Sequence, residues 1–310
     1  MFNCLTKEQI LRLENQQYRI VGNHSAVKIC HWNKTALCGQ EYCYKNDFYG
    51  IPSNKCLQMT PSLTCNQRCV HCWRDTSVFS KKFDFKLNNP KEIIEGCIAG
   101  RTELLSGFKG NPLVDEKLFY DSLKPTHAAI SLTGEPTLYP KLPELINEFY
   151  KQKFKTIFLV TNATNPAMLK KIMELKKMPT NVYFSLEAAN DKQHRLLNKP
   201  VGKSYWKKFN ESLELMKKMK KTNTVIRFTA MKNMNMDNPL EYLPIIEKAK
   251  PKFLEIKSYM HVGYSRKRLQ EENMPEFDEI KKFAEKIEEN SSYKFSKERI
   301  DSRIVLLKRK

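Results

Sequence analysis

The sequence predicts an α/β fold built as an incomplete barrel of six β/α units, and three observations carry that reading. Six short apolar runs occur: LQMTPSL at 57–63, HAAISL at 127–132, TIFLVTN at 156–162, VYFSLE at 182–187, VIRFTA at 225–230 and FLEIK at 253–257. Between them lie segments whose apolar residues recur at helical spacing, such as LPELINEFYKQ at 142–152 and SYWKKFNESLELMKKMKK at 204–221. Alternation of this kind means parallel strands joined by crossover helices. Six units are too few for a closed eight-fold barrel.

The remaining elements follow in chain order. The polar start, MFNCLTKEQILRLENQQ, reads as a helix, and residues 18–57 carry scattered His, Trp, Asn, Gly and Cys with little periodicity, as a loop-rich, metal-organised segment does. Residues 73–126 are too long for a simple β/α connection, and PKEIIEGCIAGRTELLSGF at 90–108 reads as an inserted helix within them. Beyond Met274 one helix precedes a basic, β-like end, IVLLKRK. The expected division is an N-terminal segment at 1–57, a barrel core at 58–274 and a C-terminal extension at 275–310, the last too short for a further domain.

Lys and Arg number 54 against 34 Asp and Glu, a formal charge of +20. Ion-pair networks need matched signs, so this surplus points instead to a polyanionic partner, nucleic acid first. No run approaches the roughly 18 apolar residues of a membrane span, and no charged-then-apolar leader opens the chain. A soluble cytoplasmic monomer is expected.

Nine cysteines stand at Cys4, Cys30, Cys38, Cys43, Cys56, Cys65, Cys69, Cys72 and Cys97. An odd number without a secretory leader argues for metal ligation in a reducing compartment. TPSLTCNQRCVHCWRD places Cys65, Cys69 and Cys72 in C-x3-C-x2-C spacing just after the first predicted strand. Three thiolates from one tight loop hold three corners of a [4Fe–4S] cube and leave one iron open. Zinc is the alternative; a structural zinc site wants four ligands, and His71, adjacent to Cys72, is badly placed to be the fourth.

That triplet at the end of the first strand resembles the radical S-adenosylmethionine (radical SAM) superfamily. The resemblance implies that the open iron chelates SAM and that one electron cleaves it to a 5′-deoxyadenosyl radical. His71 matches the aromatic position before the last cysteine. TGEPT at 133–137 resembles the Gly-Gly-Glu loop that meets the methionyl ammonium, with Thr133 in place of the first glycine and Gly134 and Glu135 left to do that work. Asn162 after the third strand, and Ser185 with Glu187 at the end of the fourth, resemble ribose contacts. Each also has an ordinary reading as a turn, a backbone partner or a helix cap.

Upstream, Cys30, Cys43 and Cys56 repeat as C-x12-C-x12-C. This spacing, with KICHWNKTALCGQEYC, CVHCWR, RFTAMKNMNM and LEIKSYMHVGYSRKRL, resembles the tRNA 4-demethylwyosine synthases over nearly the whole chain. The resemblance implies a second [4Fe–4S] cluster on those three cysteines, and as substrates pyruvate and the 1-methylguanosine 3′ of the anticodon of tRNA-Phe. Lys45 matches the lysine proposed there to form a Schiff base with pyruvate, which requires a neutral amine; chelation of pyruvate by the second cluster is the rival route, and both stay open. Cys4, Cys38 and Cys97 are read as small buried or loop residues.

A folded tRNA requires a cationic rim and extraction of the base from its stack. Basic groups occur at Lys81-Lys82, Lys217-Lys218, Lys220-Lys221, Arg266-Lys267-Arg268 and Lys308-Arg309-Lys310. Within HVGYSRKR, Tyr264 is the candidate to stack on a base and Arg266 or Arg268 to meet phosphate, with Trp73 and Arg74 in similar roles. The flavodoxin-like domain of eukaryotic members is missing from this sequence, so an external low-potential flavodoxin or ferredoxin is the expected electron donor. The rival functions are an RNA methylthiotransferase and a non-catalytic, metal-stabilised RNA-binding protein.

Overall fold

The computed structural model of the chain describes residues 5–79 and 82–310, so that Cys4 and Lys81 lie outside the described residues. The chain divides into two compact units, one of residues 1–65, 80–160 and 175–180, the other of 66–79, 161–174 and 181–310.

In the first unit the strands are β1 (Arg19–Val21), β2 (Ser25–Val27), β3 (Cys56–Thr60), β4 (His127–Ile130) and β5 (Thr156–Thr161). β1, β2 and β3 pair antiparallel, whereas β3, β4 and β5 run parallel, with Leu57 opposite Ala128 and Ala128 opposite Ile157. The helices are α1 (Lys7–Asn15), α2 (His31–Leu37), α3 (Tyr44–Tyr49), α4 (Pro90–Ser106), α5 (Glu116–Ser122) and α6 (Leu142–Lys151). Sequence explains their starts. Thr6 and Gln9 form a capping box on α1, and Asn89 and Glu92 form one on α4, where Pro90 takes the first turn because its missing N–H costs nothing there. The inserted helix is thus α4. Ile29, Leu37, Leu105 and Phe119 bury one another and fasten α2, α4 and α5 together.

The second unit holds α7 (Pro166–Met173), β6 (Asn181–Leu186), α8 (Asp191–Asn198), α9 (Tyr205–Lys218), β7 (Asn223–Ala230), α10 (Leu243–Ala249), β8 (Phe253–Ser258), α11 (Phe277–Glu289), β9 (Tyr293–Arg299) and β10 (Ile304–Arg309). β6, β7 and β8 are parallel; β10 then pairs antiparallel with β8 and with β9. The six expected strands are therefore present as β3 to β8, three parallel strands in each unit. Half-buried Arg227 and buried Glu255, on neighbouring strands, form an ion pair, and Tyr183 Oη donates to Glu255 Oε1 at 2.8 Å.

Two expectations need correction. Residues 18–57 are more ordered than their loose periodicity predicts: they hold the β1–β2 hairpin and two helices, each too short to show a repeat. β9 has no counterpart in the sequence reading, because Tyr293 is its one fully buried residue and its polar neighbours hide the alternation.

Candidate functional site

The upstream cysteines lie in the first unit. Cys30 and Cys43 stand immediately before α2 and α3, and Cys56 opens β3. Side-chain bonds tie these segments: Asn33 Nδ2 donates to the Ser53 carbonyl at 2.8 Å and to that of Cys56 at 3.4 Å, and the Cys43 N–H donates to Ser53 Oγ at 2.8 Å. The three thiols lie within electrostatic reach of one another. Burial first, then the neighbouring Cys56 and Cys43, push Cys30 up to about 12, against the pull of the Asn33 N–H and Lys45. Burial likewise raises Cys56, opposed by the positive charges of Lys45 and Arg101. Lys45 is half-buried, its Nζ 4.9 Å from the centre of the Phe158 ring on β5. The structure thus brings Lys45 within electrostatic reach of Cys30 and Cys56. Cys38 caps the end of α2, and Cys97 is buried on α4.

The chain then runs through Pro61 to Cys65 on a shelf fixed from two sides. His24 Nδ1 lies 2.7 Å from the Pro61 carbonyl, and the Leu63 N–H donates to the His24 carbonyl at 2.9 Å. Beside the shelf, the Glu135 N–H donates to the Thr64 carbonyl at 2.7 Å. Gly134 has φ +69°, and a Cβ there would lie 1.9 Å from the Ser62 carbonyl oxygen, so only glycine fits. Thr133 and Glu135 are buried, and Glu135 Oε1 accepts from the N–H and hydroxyl of Thr137.

Cys69 and Cys72 belong to the second unit, on a loop strapped to the end of α8. The N–H groups of Arg68 and Val70 donate to the carbonyls of Asn198 and Leu197, and Arg268 donates to the carbonyls of Val70 and Cys72. Val70 plugs into a cluster of Leu197, Met231, Tyr259 and Leu269; burying that side chain is worth about 1.5–3 kcal/mol. Burial raises the Cys72 thiol, while the Arg74 N–H and the guanidinium groups of Arg268, Arg74 and Arg68 pull it back. An electron-rich cluster suits that cationic setting.

A polar cavity in this unit is lined by Gln67, Asn162, Ser185, Glu187, His194 and Asn198, among others. Glu187 is buried; Asn198 Nδ2 donates to its Oε2 at 2.9 Å, and His71 Nε2 lies 3.6 Å from its Oε1. Asn198 Nδ2 also reaches Cys69 Sγ at 3.7 Å, and Gln67 spans from Cys69 to His194. His71 Nδ1, His194 Nδ1 and Asn198 Oδ1 are buried with no hydrogen-bond partner, so the site offers polar atoms to an incoming group. Burial lowers His71, which the Glu187 carboxylate resists, and it takes His194 down to about 4. Asn162 forms a turn, accepting from Thr164, and donates to Asn66 Oδ1; the cap of α7 is Asn165.

Among the described residues no three His, Cys, Asp or Glu side chains form a ready pocket for a metal ion. A cubane asks for something else: each thiolate takes its own iron, so the sulfurs stand farther apart than the ~2.3 Å shell around a single zinc. Within the second unit, the thiols of Cys69 and Cys72, the arginines that pull on Cys72 and the orphaned polar atoms of His71, His194 and Asn198 are a donor set that fits an iron–sulfur cluster and SAM.

On the rim, Gly263 has φ +60°, which lets the Tyr264 N–H reach the Trp73 carbonyl at 3.0 Å. Trp73 is 41% exposed and Tyr264 half-buried, with Lys267 Nζ 4.8 Å from the Tyr264 ring centre. Arg266 is exposed, whereas Arg74 is buried against Trp73 and Arg268 is tied to the cysteine loop. Sequence reasoning missed Gln67, Asn198, His194 and Arg101. Asn198 ends α8 one residue before Lys199-Pro200, a helix stop that marks a boundary but not a partner.

The sequence profile of the radical SAM superfamily matches residues 59–243, and one described as wyosine base formation matches residues 248–309. An S-adenosyl-L-methionine-dependent tRNA 4-demethylwyosine synthase of Pyrococcus horikoshii is 43% identical over 98% of this chain and 90% of its own length. A solved structure of TYW1 with a lysine–pyruvate adduct bound matches with a TM-score of 0.89 at 38% identity, covering 99% of this chain and 97% of that one. A crystal structure of archaeal TYW1 matches with a TM-score of 0.80 at 35% identity, covering 98% and 96%.

Proposed function

The chain belongs to the tRNA 4-demethylwyosine synthases, radical SAM enzymes with a mixed-sheet α/β fold, and from that premise we propose how its residues divide the reaction. The reaction joins 1-methylguanosine of tRNA to pyruvate. When bound and reduced, a [4Fe–4S] cluster would supply the electron that cleaves SAM, giving the means to remove a hydrogen atom from the N-methyl group. The methyl carbon would bond to the pyruvate carbonyl carbon, the bond to the carboxyl carbon would break with that carbon leaving as carbon dioxide and one electron returning to the external electron carrier, and the guanine amine would close the ring with loss of water, leaving two pyruvate carbons in the tricyclic base.

Cys65, Cys69 and Cys72 hold the SAM cluster. Thr133, Gly134 and Glu135 serve the methionyl end of SAM, and Asn162, Ser185 and Glu187 serve its ribose, with His71 orienting Glu187. Cys30, Cys43 and Cys56 hold a second [4Fe–4S] cluster, and Lys45 takes pyruvate as an imine, its neutral amine attacking the ketone with loss of water. The single observation that carries this part is the placement of Lys45 within the electrostatic reach of Cys30 and Cys56. A lysine–pyruvate adduct in the TYW1 relative supports it.

Three stretches of the chain divide these roles, with 1–57 carrying the second cluster, 58–274 forming an incomplete six-unit barrel, and 275–310 making the extension. The tRNA-Phe loop meets Trp73, Tyr264 and Arg266, with Arg74 and Arg268 acting behind them on the cysteine loop. No helix among the described residues is long and apolar enough to cross a membrane. We place the enzyme in the cytoplasm as a monomer served by a separate low-potential flavodoxin or ferredoxin. Borohydride reduction in the presence of labelled pyruvate, followed by peptide mapping, tests the imine. Label on Lys45, lost in Lys45→Ala, is the expected result; no label on Lys45 leaves pyruvate to the second cluster.

A further inference from the structure

Arg101 stands out on α4. Ile94, Cys97, Arg101 and Leu105 fall at helical spacing and are all buried, so a guanidinium occupies the middle of an apolar stripe, 2% exposed. Its three nitrogens donate to main-chain carbonyls: Nε to Cys56 at 3.3 Å, Nη2 to Asn54 at 2.6 Å, and Nη1 to Ser122. Carbonyl dipoles solvate a cation without neutralising it. Among the described residues no carboxylate forms an ion pair with it, in contrast to Arg227, whose Nε lies 2.9 Å from the buried Glu255. An isolated buried charge costs several kcal/mol, and such charges persist in proteins when an opposite charge compensates them.

Arg101 sits against the Cys56 main chain, with the thiols of Cys56 and Cys30 within its electrostatic reach, and those thiols become anionic only on binding iron. Three thiolates on an iron–sulfur cubane carry a net negative charge that grows on reduction. We infer that Arg101 is the buried counter-cation of the second cluster, a positioning residue that favours assembly of that cluster on Cys30, Cys43 and Cys56 and holds up its reduction potential. The inference rests on the second-cluster reading above. Lys45 also faces these thiols, but an amine consumed as an imine loses its full-time positive charge; a guanidinium keeps it. Arg101 then supplies the permanent countercharge beside a lysine left for chemistry.

The alternative is that Arg101 merely pins three carbonyls, and the two roles differ in sign. A pin stabilises the chain with or without iron. A counter-cation stabilises only the iron-loaded chain and burdens the apo form with an uncompensated charge. The test uses full-length Arg101→Met and Arg101→Lys, each purified without oxygen, in apo and reconstituted forms, with iron counted and the clusters titrated by electron paramagnetic resonance. Wild type should hold about eight irons per chain, two cubes' worth. Arg101→Met should fall to about four, or keep the second cluster at a lowered midpoint potential, while its apo form unfolds at the same or a higher denaturant midpoint. Arg101→Lys should recover the iron. Full iron and an unchanged potential in Arg101→Met overturn the inference, as does equal destabilisation of its apo and loaded forms. Cys43→Ala is the control. If it lowers iron while Arg101→Met does not, the second cluster stands and Arg101 falls; if wild type and Cys43→Ala both hold one cube, both readings fall together.

Discussion

Two sets of three cysteines sit in two different kinds of support. Cys30, Cys43 and Cys56 are spread over two short helices and a strand, knitted by the side chains of Asn33 and Ser53 and faced by Lys45 and Arg101. Cys69 and Cys72 ride one loop held by main-chain bonds to the end of α8, the Arg268 strap and the Val70 plug. The difference teaches how each site is built. A loop fixed chiefly through its backbone leaves the side chains beside it, Gln67, Glu187 and Asn198, to line a polar cavity. A site built from separated segments sets the Lys45 amine within electrostatic reach of Cys30 and Cys56, the arrangement on which the proposed pyruvate chemistry rests.

The largest effects should break the comparison outright. Cys69→Ala is expected to drop 5′-deoxyadenosine formation under dithionite to background, whereas Cys43→Ala should keep SAM cleavage but yield no tricyclic nucleoside on the tRNA. Chromatography of the deoxyadenosine and of the digested tRNA reads both. Equal loss of SAM cleavage in the two variants would mean the sites do not divide the chemistry. Next comes Asn198→Ala, which removes the amide that donates to Glu187 Oε2 and reaches Cys69 Sγ. Leaving a buried carboxylate short of a donor costs about 1–3 kcal/mol, so SAM affinity by equilibrium dialysis should weaken by about 5- to 100-fold, with Cys30, Cys43 and Cys56 still loading iron.

A smaller effect concerns the rim. Arg266→Glu should weaken tRNA binding and reduce the steepness of its salt dependence by about one phosphate contact, read by filter binding over a salt series, with SAM cleavage unaffected. Smallest for activity, but informative about the first unit's scaffold, is His127. Burial takes it down to about 4, helped by the charges of Lys155 and Lys55. Between that value and about 6.5 the unfolded chain binds the proton and the folded chain does not, so stability is full above pH 6.5 and falls as pH drops towards 4, by up to about 3 kcal/mol. His127→Asn should flatten that limb in urea melts at pH 7 and pH 5.

Much of the fold and of the site is legible in the sequence alone. The six apolar runs became β3 to β8 because fully buried parallel strands read as continuous hydrophobic stretches. The TGEPT turn is legible because the close approach of Gly134 to the Ser62 carbonyl is a local demand written in adjacent residues. What stayed hidden was long-range. Asn198 meets Cys69 across 129 positions of chain, and nothing near either residue signals it. Arg74 and Arg268 read as surface cations, yet Arg74 is buried against the Trp73 ring and Arg268 turns in to the carbonyls of Val70 and Cys72, partners that exist only once the cysteine loop is folded. Arg101 did leave a trace, as a charge interrupting an apolar stripe, visible to a reader who looks for the exception within the pattern.

The most direct test is the nucleoside itself. Reduced enzyme, SAM and uniformly carbon-13-labelled pyruvate are incubated with tRNA-Phe bearing 1-methylguanosine, and the digest is analysed by mass spectrometry. The account predicts 4-demethylwyosine carrying two labelled carbons; unchanged 1-methylguanosine, or a base that has gained a methylthio group, would contradict it.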